Sequence, residues 1–359
     1  MEKKLISLIM AGGKGARFWP LSRENCPKQF LNIGGKDSLL ARTYRRAGLV
    51  SQTVPPYIAA GEDQVPLVLC HCGTEISRDQ IVTEPLPRNT AAAIYWSCFK
   101  IAQRHDDGII AVFPADHQIG DDDLFVETID RAAAAALHSG GVVVIGIRPK
   151  YIATGYGYVE RGKKVEEDGL SYYKVRRFVE KPHREKARRY LKKGTYNWNS
   201  GIFVFSLKRI FEIYQEYLPE FVKAFSPMID AINTDDEQET LRHIFTELPS
   251  ISFDVGILEK CKNIAMVETH FSWDDVGSYN SLGALLDDDE NANIKSGNII
   301  ARDVKNSVII ADNHLVTVLG LRDVVVVEDH GVLLICPRKR VEEIKDLVSS
   351  LDGNNLDYR

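Results

Sequence analysis

A glycine-rich stretch near the amino terminus, residues 10–22, has the composition of a phosphate-binding loop. It follows a short apolar run, residues 5–10, which predicts the first buried strand of an α/β sheet. Glycines let the backbone pass close to a polyanion and direct N–H groups at it, and three stand together here: Gly12, Gly13 and Gly15. Two cationic side chains, Arg17 and Lys28, follow in the same segment. We therefore expect this loop to bind a nucleoside triphosphate through its phosphates.

Two familiar phosphate-binding motifs do not match this stretch. The Walker loop requires G-x-x-x-x-G-K-[ST], which occurs nowhere in the chain. The dinucleotide motif G-x-G-x-x-G fails because Phe18 stands where the third glycine belongs. An ordinary glycine turn between a strand and a helix remains the alternative at this point.

Aspartates in two distant segments supply the ligands that Mg²⁺ prefers. Asp116 follows the apolar run 109–113 and so stands at the carboxyl end of a predicted strand, and a carboxylate pair, Asp274 and Asp275, lies much later in the chain. Mg²⁺ takes one or two protein carboxylates and completes its shell with phosphate and water. Asp116 and one of the later pair therefore predict a Mg²⁺ site. A strand-end aspartate is also a common turn former or helix cap.

Glu84 has a chemistry that suits one particular base. Guanine presents its N1–H and N2–H₂ donors side by side, so that one carboxylate accepts both, whereas a base with an acceptor at that edge repels it. Glu84 lies in the segment T-E-P-L-P-R-N-T-A, residues 83–91, and is therefore the candidate for selecting GTP. The alternative is that it only precedes a proline turn.

Composition excludes several functional classes. The chain has 359 residues, 44% of them hydrophobic, and a net charge of −5, so that no overall basic field favours nucleic acid. Its amino-terminal apolar run is far shorter than the roughly 20 residues of a membrane span. Six scattered cysteines do not form a disulfide scaffold, which favours free thiols and a cytoplasmic location.

The order of apolar runs predicts the fold class. Runs with strand character (57–60, 80–82, 109–113 and 142–147) alternate with stretches of helical periodicity (38–49, 90–104 and 124–138). This alternation predicts an α/β fold with a doubly wound, Rossmann-like sheet that binds ligands at the carboxyl ends of its strands. From Gly155 onwards, shorter runs predict inserted antiparallel strands, which make the sheet mixed.

An acidic segment, residues 287–291, marks a predicted domain boundary. Short apolar runs recur after it with Gly, Asn and Asp between them, and predict an all-β tail closed by a helix over 338–351. We therefore predict a catalytic domain over 1–286 and a small β-domain over 287–359. Exposed β-edges in this tail are compatible with a homodimer.

The motifs, taken in order along the chain, resemble those of the mannose-1-phosphate guanylyltransferases, a branch of the sugar nucleotidyltransferase family. The resemblance runs from Leu5 to Val348 and rests on A-G-G-x-G-x-R-x-x-P-L-S with P-K-Q-F, E-P-x-x-R-N-T, P-A-D-H, G-Y-G-Y-V-E, V-E-K-P, W-N-S-G-I-F and W-D-D-V-G-S. It implies a left-handed β-helix in the tail, of a kind often used in subunit contacts. It also implies the short form of the family, without a fused isomerase domain.

The resemblance assigns roles to residues of this chain. It selects Asp275 over Asp274 as the second Mg²⁺ ligand and places Arg88 and Asn89 near the base or ribose, with Ala11 and the loop glycines on the nucleotide. It gives Lys181 the sugar phosphate and Glu180 the sugar hydroxyls, with Gly157 and Asn199 completing the sugar pocket.

The activity that this implies is transfer of GMP from GTP to α-D-mannose 1-phosphate, giving GDP-mannose and pyrophosphate. In it, Lys181 positions the attacking phosphate while Arg17 and Lys28 neutralise the departing pyrophosphate. Two alternatives stay open: another sugar 1-phosphate, such as a heptose or glucose, or a non-catalytic regulatory protein that binds GDP-mannose. The first is open because F-D-V-G at residues 253–256 departs from the family's usual S-I-D-Y-G. The second is disfavoured because Arg17, Lys28, Asp116 and Asp275 are all present.

Overall fold

The computed structural model describes residues 4–13, 15–167 and 169–358, so that Lys14 of the glycine-rich stretch lies outside the described residues. The chain divides into two compact units. The first unit comprises residues 1–12, 43–115 and 119–273, and the second comprises 13–42, 116–118 and 274–359.

The strands are numbered here in chain order. They are β1 (Leu5–Met10), β2 (Tyr57–Gly61), β3 (Ile81–Glu84), β4 (Ile109–Pro114), β5 (Gln118–Ile119), β6 (Val142–Ile147), β7 (Tyr158–Glu167), β8 (Leu170–Val179), β9 (Tyr196–Ser206), β10 (Ile264–Thr269), β11 (Trp273–Asp274), β12 (Ile294–Ser296), β13 (Ile299–Arg302), β14 (Val308–Ala311), β15 (Val316–Leu319), β16 (Val324–Asp329) and β17 (Val332–Pro337).

The α-helices are numbered in the same way. They are α1 (Leu39–Val50), α2 (Val65–Cys72), α3 (Asn89–Ala102), α4 (Asp122–Ser139), α5 (Arg184–Lys193), α6 (Leu207–Tyr217), α7 (Pro219–Ala224), α8 (Met228–Ala231), α9 (Glu237–Glu247) and α10 (Ile344–Ser349). Short 3₁₀ turns include Ala16–Phe18 and Arg338–Glu343, and one π-helical turn spans Asp254–Leu258.

The first unit contains a nine-stranded mixed sheet in the order β3-β2-β1-β4-β9-β6-β10-β8-β7. The strands from β3 to β4 pair in parallel, and β9 runs antiparallel between β4 and β6. Strands β1, β4 and β6 are almost entirely buried, as expected for apolar runs covered on both faces. This confirms the predicted Rossmann-like mixed sheet. Because parallel strands point the same way, β1 and β3 end at one edge, where the glycine-rich stretch begins and Glu84 stands.

The helices of the first unit follow the predicted periodicity with small shifts at their ends. Helix α4 begins after Asp121, whose carboxylate accepts a hydrogen bond from the Leu124 amide at 3.0 Å. Helix α3 is buried on all sides over residues 91–98, and its Tyr95 packs against Tyr214 and Phe225.

The second unit contains a strand-rich region with short parallel pairings. Strands β12, β14, β16 and β17 form one sheet, in which only the β16–β17 pair is antiparallel, and β13 pairs with β15 in parallel. Val308, Val325 and Val327 are fully buried here, in one apolar core with Phe18 and Tyr279. The all-β tail is therefore confirmed, although the predicted closing helix is split into the 3₁₀ turn Arg338–Glu343 and α10.

Within the described residues, none of the helices is both apolar enough and long enough to span a membrane.

Candidate active site

Gly15 is required by the geometry of the glycine-rich stretch. Its φ is +63°, in the left-handed region that favours glycine. A Cβ at this position would lie 2.2 Å from Cβ of Lys28, so that any side chain would push the two segments apart. The backbone is held further by the Ser22 hydroxyl, which donates to the Gly15 carbonyl at 2.6 Å. The absence of a side chain at Gly15 therefore allows Lys28 to pack directly against the backbone of the glycine-rich stretch.

Lys28 joins the two predicted Mg²⁺-binding segments. Its ammonium, almost fully buried, donates to Oδ2 of Asp116 at 2.8 Å and to the main-chain carbonyl of Asp275 at 2.7 Å. Burial raises the pKa of Asp116, but the charges of Lys28 and His117 outweigh it and lower the pKa below its usual range. Asp116 is therefore held as a carboxylate with a cation beside it. The sequence predicted Lys28 on pyrophosphate and did not predict this contact.

The segment of Asp274 and Asp275 has an unusual backbone. Val276 has a φ of +46°, although a β-branched residue strongly disfavours that region. Its amide donates to Oδ1 of Asp274 at 2.7 Å, and a Cβ on Gly277 would lie 3.0 Å from Oδ2 of Asp275. Asp274 therefore stabilises the turn, whereas the absence of a side chain at Gly277 leaves room for the carboxylate of Asp275.

Arg17 has a partner that the sequence did not indicate. Its guanidinium donates to Oε2 of Glu342 at 2.9 Å, and both side chains are substantially exposed. The neighbouring Trp19 indole donates to the main-chain carbonyl of Tyr358 at 2.6 Å. The carboxyl-terminal segment of the second unit thus contacts the glycine-rich stretch on both sides of Phe18.

Glu84 is buried in the first unit, next to Gly12. A Cβ on Gly12 would lie 3.5 Å from Oε1 of Glu84, an ordinary contact distance. Burial raises the pKa of Glu84 to about 7. The carboxyl group therefore lies where the glycine-rich stretch begins, and it changes charge near neutral pH.

Arg88 and Asn89 have structural partners in this unit. The Arg88 guanidinium donates to the carbonyls of Phe245 and Thr246 at the end of α9. The side-chain oxygen of Asn89 accepts from the amide of Thr90 at 2.8 Å, and Asn89 has a φ of +65°. Their predicted roles near the base or ribose stay predictions.

The four predicted sugar-pocket residues lie together in the first unit. A Cβ on Gly157 would lie 2.7 Å from Oε2 of Glu180 and 3.3 Å from Cβ of Asn199. The Lys181 ammonium pairs with Glu180 and is exposed, and Lys181 has a φ of +42°. Strained backbone of this kind, here and at Val276, is concentrated at functional sites in proteins.

Sequence reasoning missed Asp254 in this cluster. Its Oδ1 accepts from Nδ2 of Asn199 at 2.9 Å. Burial and the charge of Glu180 raise its pKa to about 7. The only sequence indication was that F-D-V-G departs from the family pattern.

Comparison with known proteins decides the family. Residues 6–292 match the family model "Nucleotidyl transferase", and residues 297–351 match "MannoseP isomerase/GMP-like beta-helix domain". Mannose-1-phosphate guanylyltransferase of Klebsiella pneumoniae is 34% identical over 354 residues, which cover 98% of this chain and 74% of that protein. The chain belongs to the mannose-1-phosphate guanylyltransferase family. It is thus a member of a nucleotidyltransferase family, as the motifs predicted.

Two further relatives agree with this placement. Xanthan biosynthesis protein XanB of Xanthomonas campestris is 34% identical, over 97% of this chain and 73% of that protein. The crystal structure of mannose-1-phosphate geranyltransferase from Thermus thermophilus superposes with a TM-score of 0.86 at 32% identity, covering 98% of this chain and 100% of that one. The predicted β-helix-like tail is confirmed. The domain boundary after residue 286 stays a prediction. The first family model ends at residue 292 and the second begins at residue 297.

Proposed function

We propose that this enzyme transfers GMP from GTP to α-D-mannose 1-phosphate, releasing pyrophosphate and GDP-mannose. The observation that carries the proposal is the match, over almost the whole chain, to enzymes named for that reaction. The charged groups of the second unit support it, because Lys28, Asp116 and Asp275 are the types and arrangement that phosphate chemistry needs.

In the proposed reaction a phosphate oxygen of the sugar attacks the α-phosphorus of GTP. The new P–O bond forms as the bond between the α- and β-phosphates breaks, and the electron pair leaves with pyrophosphate. No covalent enzyme intermediate is needed, so the protein contributes positioning and electrostatic stabilisation. Lys181 holds the attacking phosphate, and Arg17, once it leaves Glu342, neutralises the departing pyrophosphate.

The donor set of the second unit fits a divalent cation. Asp116 is ionised, and the Lys28 ammonium already places a positive charge between it and the backbone of Asp275. We propose that Asp116 and Asp275 hold Mg²⁺. When bound, Mg²⁺ neutralises phosphate charge and polarises the reacting phosphoryl group.

Base selection is assigned to Glu84. Its buried carboxylate accepts the N1–H and N2–H₂ donors of guanine, while adenine offers an acceptor at that edge and is repelled. Ala11, Gly12, Gly13 and Gly15 direct the backbone along the phosphates. Arg88 and Asn89 contribute to the site of the base or ribose.

Pyrophosphate release with Mg²⁺ tests the proposal, crossing mannose 1-phosphate, glucose 1-phosphate and a heptose 1-phosphate with GTP, ATP and UTP. Release confined to GTP with mannose 1-phosphate is expected. Release with GTP and a different sugar would overturn the sugar assignment and keep the nucleotide assignment. Absence of release with every pair, together with tight GDP-mannose binding, would place the protein in the regulatory class.

We also propose that the enzyme works as a homodimer in the cytoplasm. Large apolar side chains of the second unit are exposed on and around β15 and β17: Leu315, Leu319, Leu333 and Ile335 are each more than half exposed. Adjacent exposed apolar residues are typical of interaction surfaces. Sedimentation of the wild type should give a dimer, and Leu319→Glu should give a monomer; a monomeric wild type would contradict this.

A further inference from the structure

The amide of Asn199 is hydrogen-bonded at both ends inside the predicted sugar pocket. Its Oδ1 accepts from the amide of Gly201 at 3.2 Å, and its Nδ2 donates to Oδ1 of Asp254 at 2.9 Å. A side chain held at both ends in this way is suited to orienting a neighbour. The neighbour that it orients is the carboxyl group of Asp254.

Asp254 is held through both its backbone and its side chain. It follows Phe253, which is fully buried, packs against Phe203 at a centroid distance of 5.0 Å, and donates its amide to Oγ1 of Thr90 at 2.8 Å. It also begins the π-helical turn Asp254–Leu258, and such turns are frequent at functional sites. Backbone packing and the Asn199 amide therefore fix the carboxyl group from two sides.

Carboxyl groups outnumber ammonium groups in this cluster. The charge of Glu180 acts on Asp254, and a second carboxylate, that of Glu259, accepts from the Glu180 amide at 2.9 Å. Lys181 is the ammonium paired with Glu180. Such an acidic group repels a phosphomonoester, but a carboxylate accepts strongly from hydroxyl donors. The cluster is therefore suited to the hydroxyl face of a sugar phosphate, with Lys181 left for its phosphate.

Gly157 is closely surrounded by this cluster. A Cβ there would lie 2.7 Å from Oε2 of Glu180, 3.1 Å from the Phe178 ring and 3.3 Å from Cβ of Asn199. The absence of a side chain at Gly157 therefore lets Glu180 and Asn199 approach the same stretch of backbone.

We propose that Asp254 is a specificity-determining residue that accepts a hydrogen bond from a ring hydroxyl of the sugar 1-phosphate, and that Asn199 is the positioning residue that holds it. This inference rests on the proposed function and assigns Asn199 differently from the sequence prediction, which gave it direct contact with the sugar. Asp254 and Glu180 then recognise the sugar together.

The test is Asp254→Asn in the full chain, with Asp230→Asn, an exposed aspartate of α8, as the matched control. Loss of a charge-assisted hydrogen bond should raise KM for mannose 1-phosphate about tenfold or more and change KM for GTP less than about twofold. Asp254→Glu, which keeps the charge but moves it by one methylene, should also raise the sugar KM. A sugar KM within about twofold of the control in both folded variants would overturn the proposal.

A double-mutant cycle tests the role of Asn199. Asn199→Ala should raise the sugar KM, and adding Asp254→Asn should change it by less than about twofold more, because the first change already releases the carboxyl group. Full additivity would overturn the positioning role.

The proposal is separable from the proposed function. If the wild type prefers another sugar 1-phosphate, the same KM comparison is made with that compound. If the wild type has no activity, calorimetric binding of GDP-mannose replaces it, and Asp254→Asn must weaken binding about tenfold. Unchanged affinity would overturn the inference.

Discussion

In the first unit burial raises the pKa of Glu84 and Asp254 to about 7, whereas in the second unit Lys28 and His117 lower the pKa of Asp116 despite its burial. The first two carboxyl groups therefore change charge close to neutral pH. Asp116 is instead held ionised, as cation binding requires. Burial therefore favours the neutral form of carboxyl groups in the first unit, whereas neighbouring cations favour the ionised form of Asp116 in the second.

The largest expected effect is the fall in kcat when the Lys28 ammonium is removed. Lys28→Met removes the ammonium that holds Asp116 ionised, and it should lower kcat for pyrophosphate release by about three orders of magnitude. Lys36→Met, at an exposed lysine of the same unit, is the control and should change kcat less than about twofold. A kcat for Lys28→Met within about tenfold of the control would show that the charge arrangement does not support catalysis.

Substitutions of the adjacent aspartates Asp274 and Asp275 test which of the two holds Mg²⁺. Asp275→Asn should lower kcat about a hundredfold or more and raise the Mg²⁺ concentration for half-maximal activity. Asp274→Asn should cost less than about tenfold, because an amide oxygen can still accept from the Val276 amide. The reverse order of effects would assign the metal to Asp274.

The pH dependence of KM for GTP tests the proposed role of Glu84 in base recognition. Guanine needs the carboxylate, so protonation below a pKa of about 7 should raise KM for GTP as pH falls from about 8 to about 6. Glu84→Gln should show a KM raised about tenfold at pH near 8 and a flatter pH profile. The γ-phosphate of GTP titrates in the same way in assays of the wild type and of Glu84→Gln. The difference between the two pH profiles of KM therefore reports the titration of Glu84. An unchanged profile would contradict its assignment.

Glu84→Gln should weaken GTP binding but increase the stability of the folded protein. A carboxyl pKa raised on folding stabilises the protein below the unfolded value of 4.5, and this contribution is lost as pH rises through about 7. Glu84→Gln should therefore be more stable than the wild type by about 2–3 kcal/mol near pH 8, with the difference disappearing near pH 4.5. Denaturant unfolding at the two pH values measures it, with Glu75→Gln, an exposed glutamate, as control.

The smallest expected effect concerns Arg17. Glu342→Gln frees its guanidinium for the triphosphate, and because exposed ion pairs contribute about 0–1 kcal/mol, KM for GTP should fall only about twofold. The neighbouring exposed pair Arg340–Glu343 offers a control in Glu343→Gln. If the two variants have the same KM for GTP, the Arg17–Glu342 pair does not compete with nucleotide.

Local patterns in the sequence predicted the sheet and the ends of its strands. Buried apolar runs identified β1, β4 and β6, and the structure has strands at those runs. Gly15 was expected to bring the backbone close to a ligand. The structure adds a second reason, its contact with Lys28.

Contacts between distant residues could not be predicted in the same way. Arg17 and Glu342 are 325 positions apart, and Asn199 and Asp254 are 55 apart, so no local periodicity links either pair. Residues 13–42 also group with residues after 273 through tertiary packing, which no local pattern in the sequence indicates. The carboxyl group of Asp254 was overlooked because only its contact with Asn199 in the folded chain places it in the sugar pocket.

The reverse reaction tests the central claim most directly. The enzyme, Mg²⁺ and pyrophosphate are incubated with GDP-mannose, GDP-glucose, ADP-glucose or UDP-glucose, and the nucleoside triphosphate and sugar phosphate formed are identified by mass and chromatography. GTP and mannose 1-phosphate are expected from GDP-mannose, with little triphosphate from the other three. Faster formation of ATP or UTP, or no triphosphate from any of the four, would contradict the proposed function.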